Sequence, residues 1–194
     1  MRNATVERKT KETDISVTVE LDGDGSCKLD TGIGFFDHML ESFCRHGLFN
    51  VDVRCKGDLH VDGHHTVEDV GIVMGQAFKK ALGDKAGIHR FGHFSLPMDE
   101  TVAQVALDIS GRPYLALRTP LVSGMIGDYD SALLEEFLRA FAVNAGLTLH
   151  VNVPYGTNAH HINEAVFKSL ARALKMAVEV DPRVKGVPSS KGVL

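Results

Sequence analysis

The most constraining feature of this 194-residue chain is an internal repeat. The segment HHTVE at residues 64–68 has a counterpart, HHINE, at residues 160–164. The segment ETDISVTVELD at residues 12–22 also aligns with ETVAQVALDIS at residues 100–110. Two His-His-x-x-Glu segments at matching places are not expected by chance, so we predict that one structural unit has been duplicated within the chain.

A third alignment defines how the two halves correspond. The segment FFDHMLESFCRHGLFNVDV, which begins at Phe35, aligns with LLEEFLRAFAVNAGLTLHV, which begins at Leu133. This alignment places His38 opposite Glu136. No linker rich in Gly, Ser or Pro separates the halves. We therefore predict a single domain with pseudo-repeats of about 1–88 and 89–194.

Hydrophobic periodicity predicts strands before helices in each half. Alternation of polar and apolar residues predicts strands at Thr5–Arg8, Ile15–Leu21, 51–55, 100–110 and 147–153. Spacing at 3.6 residues predicts helices at 31–47, from about His65 to Leu82, at 130–146 and at 160–178. This order favours an α+β fold, a two-layer sandwich with helices on one face of the sheet, over a doubly wound α/β fold.

Composition excludes several classes of protein. The net charge of −4 and the isoelectric point near 6.2 argue against a general nucleic-acid binder and against a peripheral membrane protein. No apolar run is long enough for a transmembrane helix, and the first residues lack the apolar segment of a signal peptide. Cys27, Cys44 and Cys55 have no metal-like spacing, which is typical of a reduced, cytoplasmic chain.

The two histidine pairs predict a metal site with two ions. Adjacent residues of an α-helix point about 100° apart, whereas residues i and i+4 share a face. His64 and His65 therefore diverge, while Glu68 lies on the same side as one or the other. Diverging histidines suit two ions better than one. We expect each ion to take one histidine from each half together with a carboxylate.

His38 and Glu136, which correspond in the repeat, complete the predicted ligand set. The predicted metal ligands are His38, His64, His65, Glu68, Glu136, His160, His161 and Glu164. No thiolate belongs to this set, which argues against structural zinc, whereas imidazole and carboxylate with open positions suit Mn²⁺, Fe²⁺, Co²⁺ or catalytic Zn²⁺. The histidines without a repeated counterpart are more typical of structural or surface positions; they are His46, His60, His89, His93 and His150.

A second group of residues is basic and dispersed. It comprises Arg90, Arg112, Lys168 and the tail segment PSSKG at 188–192. Hydroxyl groups, backbone amides beside glycine and a lysine can together hold a phosphate. Each of these residues is also common as a solvated surface group, and spacing alone does not decide between the two interpretations.

Four segments resemble signatures of the imidazoleglycerol-phosphate dehydratase family of histidine biosynthesis: TGIGFFDHML, DGHHTVEDVG, HHINEAVFKSLARAL and VPSSKG. The resemblance extends from KET at 11–13 to the tail. It implies a duplicated α+β unit in which each half is a four-stranded sheet backed by helices. It also implies trimers that assemble into a twenty-four-subunit homo-oligomer, with two Mn²⁺ ions per active site between subunits. Because the chain is too short for an additional phosphatase domain, it is similar to the monofunctional form.

The resemblance also implies residue roles. The catalytic residues would be Glu12, His64, His65, Glu68, His160 and Glu164, with Glu12 as the carboxylate that handles the substrate proton. The substrate contacts would be Glu12, His38, His46, His64, Glu68, Arg90, Arg112, His160, Lys168, Ser189, Ser190 and Lys191. One departure is visible, because the family pattern has histidine where this chain has Glu136. That ligand is left open.

The implied reaction removes water from D-erythro-imidazole glycerol phosphate and gives imidazole acetol phosphate. The proton to be lost lies on a carbon without an adjacent carbonyl, which closes a simple enolate route. An imidazolate ring could instead expel the C3 hydroxyl through a diazafulvene-type intermediate, whose C2 proton is acidic enough for a carboxylate base such as Glu12.

Two other classes of protein remain as alternatives. A dinuclear metal hydrolase such as a phosphatase would use similar ligands, although such sites often include bridging aspartates at strand ends. A metal-storage protein would need neither Glu12 nor a phosphate site. The products formed from a phosphorylated imidazole distinguish all three.

Overall fold

The structure repeats one order of elements in its two halves. The computed structural model describes residues 2–192 and 194. The first half contains β1 (Asn3–Lys9), β2 (Thr13–Glu20), β3 (Cys27–Asp30), α1 (Gly34–Gly47), β4 (Asn50–Gly57) and α2 (His64–Leu82). The second half contains β5 (Phe91–Met98), β6 (Thr101–Asp108), β7 (Tyr114–Arg118), β8 (Met125–Ile126), β9 (Tyr129–Asp130), α3 (Leu133–Ala145), β10 (Thr148–Asn152) and α4 (Ala159–Val178).

The two four-stranded sheets have the same topology. Their strand orders are β1-β2-β4-β3 and β5-β6-β10-β7. In each sheet the last edge strand is parallel to its neighbour and the other pairs are antiparallel. The register is also equivalent, since Val17 pairs with Val53 and Val105 pairs with Val151. The predicted α+β fold with a duplicated unit is confirmed.

The helices of the two halves pack against each other between the sheets. Helix α2 lies on β1 and β2 and also packs against α3, while α4 lies on β5 and β6 and packs against α1. Alternation along β2 buries Ile15, Val17 and Val19 against the helices and leaves the opposite face exposed. Aromatic rings join the halves, because Phe137 lies 5.6 Å from Phe36, between ring centroids. One hydrophobic core therefore spans both halves.

Two glycines let α2 and α3 approach closely. A Cβ atom at Gly71 would lie 3.0 Å from the carbonyl oxygen of Phe137. A Cβ atom at Gly75 would lie 2.7 Å from the carbonyl oxygen of Phe141. The distance at Gly75 is shorter than real Cβ atoms show and the one at Gly71 is tighter than most, so a larger residue at Gly75 would push the two helices apart.

Two helices are shorter than their patterns predict. The helix predicted at 31–47 begins at Gly34. The helix predicted at 130–146 begins at Leu133, and Asp130 instead pairs with Met125 in the hairpin of β8 and β9. The cause is a turn at Gly127, whose φ of 59° suits glycine. Asp130 also accepts a hydrogen bond from the backbone N–H of Ala132 at 2.9 Å, which holds it outside the helix. Among the described residues, no helix combines the length and apolarity needed to cross a membrane.

Candidate active site and metal centre

Helix α2 begins with the first histidine pair. The Asp62 carboxylate accepts a hydrogen bond from the backbone N–H of His64 at 2.8 Å, which gives this first donor of the helix a partner. The rings of His64 and His65 are inclined at 80° to each other, with centroids 6.2 Å apart. His64 Nε2 lies 3.7 Å from Glu68 Oε2, whereas His65 Nδ1 lies 3.1 Å from Asp58 Oδ2. The pair diverges as predicted, and Glu68 shares the side of His64.

Helix α4 begins in the same way. The Asn158 side chain accepts a hydrogen bond from the backbone N–H of His160 at 2.9 Å. The rings of His160 and His161 are inclined at 79°, with centroids 6.0 Å apart. His160 Nε2 lies 3.1 Å from Glu164 Oε2, whereas His161 Nδ1 lies 2.7 Å from an oxygen of Glu100. In both helices, therefore, the first histidine lies beside the glutamate one turn later in the same helix. The second histidine contacts a carboxylate outside the helix.

One group of side chains has the geometry of a metal site. His38 on α1 lies beside His160 and Glu164, and one ligand atom from each falls within 4.8 Å of the others. Within 2–192 and 194, this is the one group of at least three His, Cys, Asp or Glu side chains that meets this distance. Phe35 packs edge-on against the ring of His160, with centroids 4.9 Å apart. Two imidazoles and one carboxylate without a thiolate fit an octahedral divalent ion with open positions.

The helix packing decides which histidines meet. The histidine of the first half that meets His160 is His38, because α1 packs against α4. In the other pair of helices, α2 with His64 packs against α3. Leu133 at the start of α3 and His64 line the same cleft, which has a volume of about 550 Å³. Glu136 is half-buried and lies one helical turn after Leu133, but it is not among the residues that line this cleft.

A buried carboxylate anchors the metal-site cluster of His38, His160 and Glu164. The Glu164 side chain is 9% exposed, and Lys168 Nζ lies 2.5 Å from its Oε1. Burial opposes ionisation of Glu164, but Lys168 and His160 outweigh it and hold its pKa below the usual range. His46 follows His38 by two turns on α1, and burial, together with the nearby Lys168, lowers its pKa. The predicted substrate contacts His46 and Lys168 thus lie beside the cluster.

Glu12 lies at the start of β2, near the first histidine pair. Its carboxylate is exposed and its Oε1 lies 3.8 Å from His65 Nε2. The next residue, Thr13, donates a hydrogen bond from its hydroxyl to the buried Asp69 at 2.5 Å, and Arg8 pairs with the same carboxylate. This network ties the turn that carries Glu12 to helix α2. Asp58 raises the pKa of His65 through their hydrogen bond.

The predicted phosphate residues fall into two groups. Arg90 makes two hydrogen bonds to Asp108, at 2.7 and 3.0 Å, and donates to the carbonyl oxygen of Pro188 at 3.0 Å. Arg112, which is exposed, lies 3.8 Å from the same aspartate. Arg90 therefore holds the tail with Ser189, Ser190 and Lys191 near Arg112, at the carboxyl end of β6. Lys168 is not part of this group, since it contacts Glu164 and Met98.

The predicted phosphate-binding residues at the end of β6 (Arg90, Arg112 and the tail) lie far from the histidine pair of α4 within one chain. Strand β6 runs from Thr101, next to the Glu100 that contacts His161, to Asp108, which contacts Arg90. Eight extended residues span roughly 23 Å. One copy of the chain therefore does not bring Arg90 and the tail to its own His160 and His161.

Sequence patterns did not predict three carboxylates beside the second histidines. Asp58 contacts His65, and Glu100 contacts His161, whose Nε2 also lies 3.7 Å from Asp99 Oδ2. Asp58 has no repeated counterpart and gave no signal. Glu100 did give one, because it aligns with Glu12 in the repeat.

The chain is similar over its full length to several proteins that share one name. Residues 31–174 match the family model described as imidazoleglycerol-phosphate dehydratase. The enzyme of that name from Methylorubrum populi is 58% identical over 195 residues, covering 100% of both chains. That from Thermoanaerobacter pseudethanolicus is 57% identical over 194 residues, also covering 100% of both.

Solved structures of the same name share the fold. The imidazoleglycerol-phosphate dehydratase of Staphylococcus aureus superposes with a TM-score of 0.84 at 37% identity, covering 92% of this chain and 99% of the other. That of Pyrococcus furiosus superposes with a TM-score of 0.83 at 34% identity, covering 97% and 100%.

Proposed function

This chain belongs to the imidazoleglycerol-phosphate dehydratase family, and from that premise we propose how its residues carry out the reaction. It is a hydro-lyase of histidine biosynthesis that acts on a phosphorylated imidazole. We propose that it removes water from D-erythro-imidazole glycerol phosphate to give imidazole acetol phosphate, with two Mn²⁺ ions per active site, in the cytoplasm. The cluster of His38, His160 and Glu164 is the observation that carries the metal part of this proposal.

The first ion would be held by that cluster and the second by its counterpart in the other half. The counterpart would comprise His64 and Glu68, whose Nε2 and Oε2 atoms lie 3.7 Å apart, together with Glu136, which the repeat places opposite His38. The remaining predicted ligands, His65 and His161, face away from the first histidine of their own pair, so they would complete sites on a neighbouring copy. When bound, Mn²⁺ would supply Lewis acidity that favours the imidazolate form of the substrate ring.

Glu12 would take the C2 proton of the substrate. Its carboxylate is exposed, and its Oε1 lies 3.8 Å from His65 Nε2. It is therefore available to a proton on a bound ligand, while the contacts of Thr13 and Arg8 to Asp69 fix the turn that carries it. A carboxylate within reach of the reacting carbon can act as a general base.

The phosphate would be held by Arg112, Ser189, Ser190 and Lys191, with Arg90 positioning the tail. The substrate has a three-carbon chain, which is far shorter than the roughly 23 Å that β6 places between this group and His161. The phosphate-binding residues of one copy and the histidines of another copy would therefore bind the same substrate molecule. This supports the proposed homo-oligomer, in which trimers assemble into a twenty-four-subunit shell with active sites between subunits.

The test is incubation with imidazole glycerol phosphate and Mn²⁺, with and without a chelator, while the size of the protein is followed by light scattering. We expect the keto product only with metal and only from the assembled protein. Full activity in a metal-free, monomeric preparation would contradict the proposal. Release of inorganic phosphate without a keto product would instead identify a hydrolase, and metal binding without turnover would identify a storage protein.

A further inference from the structure

The second histidine of each pair has a carboxylate on its Nδ1 atom. His161 Nδ1 lies 2.7 Å from Glu100 Oε2, and His65 Nδ1 lies 3.1 and 3.2 Å from the two oxygens of Asp58. An ionised carboxylate only accepts hydrogen bonds, so Nδ1 must be the donor in both contacts. The Nε2 atom of each ring is then the one that carries a free lone pair in the neutral histidine.

The first histidine of each pair differs in this respect. His160 Nε2 lies 3.1 Å from Glu164 and His64 Nε2 lies 3.7 Å from Glu68, each a predicted ligand. Only the second histidines contact carboxylates outside the predicted ligand set.

We propose that Asp58 and Glu100 are positioning residues, which orient His65 and His161 as Nε2 ligands of the metal ions. This inference rests on the proposed function, since it presumes that Mn²⁺ binds these histidines. Carboxylates that hold the second nitrogen of a metal-bound histidine fix its ring orientation and tautomer, and their loss typically weakens metal binding about 10- to 100-fold.

The two positioning residues, Asp58 and Glu100, do not occupy corresponding places in the repeat, and the lengths of the connections explain the difference. Asp58 follows β4 directly, in a connection that places His64 eleven positions after Val53. The second half has a connection two residues shorter, in which His160 comes nine positions after Val151. The shorter connection has no counterpart of Asp58, and Glu100 occupies that role from the start of β6.

Glu100 is held in place for this task by several contacts. Its Oε1 accepts hydrogen bonds from the backbone N–H groups of Thr157 and Asn158, at 3.0 and 2.9 Å, and from the hydroxyl of Thr101 at 3.0 Å. These contacts leave Oε2 directed at His161. They also link the strand to the helix start, so a test must separate the effect on His161 from an effect on the connection.

The primary measurement is Mn²⁺ binding to the metal-free, full-length protein in its native assembly, with the free ion detected by electron paramagnetic resonance. We expect Glu100→Ala to weaken one of two binding steps 10- to 100-fold and Asp58→Ala to weaken the other similarly. Glu100→Gln keeps acceptors for Thr157 and Asn158 and should lose less. The matched control is Glu7→Ala, which removes an exposed carboxylate of β1 and should leave both steps unchanged.

A double-mutant cycle with His161→Ala distinguishes positioning from a purely structural role. If Glu100 acts through His161, adding Glu100→Ala to His161→Ala causes no further loss of affinity. A further loss of more than about threefold would overturn the inference, as would wild-type affinity in Glu100→Ala itself. A wild-type protein that binds two Mn²⁺ ions beside unaffected variants would refute only this inference, whereas a wild-type protein that binds none would refute the proposed function as well.

Discussion

Glu12 and Glu100 occupy the same place in the two halves, one residue before Thr13 of β2 and before Thr101 of β6. The Glu12 carboxylate is exposed and lies 3.8 Å from His65. The Glu100 carboxylate instead accepts hydrogen bonds from a helix connection and contacts His161 at 2.7 Å, which holds its pKa well below the usual range. The same residue type has thus become a free carboxylate in one half and an anchored one in the other.

The difference extends into the helices behind these glutamates. In the first half, the buried Asp69 of α2 binds Thr13 and Arg8 and so fixes the turn with Glu12. The equivalent residue of α4 is Ala165, which is fully buried and apolar. A duplicated unit can keep its fold and its histidine pairs while the residues around them diverge in function.

The largest expected effect is a loss of turnover on substitution of Glu12, the glutamate that is proposed as the base. Glu12→Gln keeps the size of the side chain but cannot accept a proton, so we expect kcat to fall roughly 10²- to 10⁴-fold while Mn²⁺ affinity stays the same. Steady-state kinetics with saturating Mn²⁺ and metal titration measure the two effects. Glu7→Gln is the matched control. Turnover within a few-fold of wild type in Glu12→Gln would show that another group is the base.

A second prediction concerns the cluster that the chain assembles by itself. His160→Ala removes a nitrogen that lies 3.1 Å from Glu164, so we expect one of two Mn²⁺ ions to be lost and turnover with it. Metal content after gel filtration measures the stoichiometry. His93→Ala, on the exposed face of β5, should retain both ions. Two ions retained by the His160 variant would place the metal elsewhere.

The third prediction tests the Asp69 network by stability. Asp69→Ala leaves Arg8 and the Thr13 hydroxyl without their buried partner, and we expect a loss of about 3 kcal/mol in the free energy of unfolding. Urea unfolding at fixed protein concentration measures it. Asp22→Ala breaks an exposed ion pair with Arg2 and should cost less than about 1 kcal/mol. Equal losses in both variants would show that burial of Asp69 adds nothing.

The site could be predicted where helical geometry decides the outcome. The pairing of His64 with Glu68 and of His160 with Glu164 follows from the i, i+4 spacing in the sequence. The contact between His38 and His160 could not be predicted from spacing, because it depends on which helices pack together. Contacts such as that of Asp58 depend on a loop conformation that no periodicity encodes.

The fold shows the same division between local pattern and tertiary context. The inner strands β2 and β6 were predicted, since one face of each is buried and the alternation is regular. Among the edge strands, β1 was predicted at Thr5–Arg8, whereas β3, β5 and β7 were missed; the residues of these three are mostly half-buried or exposed. Strand β5 also contains Pro97, which edge strands tolerate. Pattern thus identifies the elements that line the core better than those at the sheet edges.

The smallest predicted effect concerns Glu136, where this chain departs from the family pattern. The repeat places it opposite His38, and the structure places Leu133, one turn earlier, in the cleft of His64. The alternative is a plain surface acid, but Glu136 is half-buried, between the buried Phe137 and the exposed Glu135 that pairs with Arg139.

A carboxylate is a competent ligand for Mn²⁺, and its charge favours a hard divalent ion. We therefore expect Glu136→Ala to weaken one of the two Mn²⁺ binding steps about tenfold, because the other ligands of that ion remain. Glu136→His, which supplies an imidazole nitrogen instead, should largely restore it. Glu135→Ala, which removes the neighbouring exposed carboxylate, is the control and should change neither step. Two unchanged binding steps in Glu136→Ala would mean that the second half contributes no ligand opposite His38. The two metal sites would then differ in their number of ligands, just as Glu12 and Glu100 differ in their contacts.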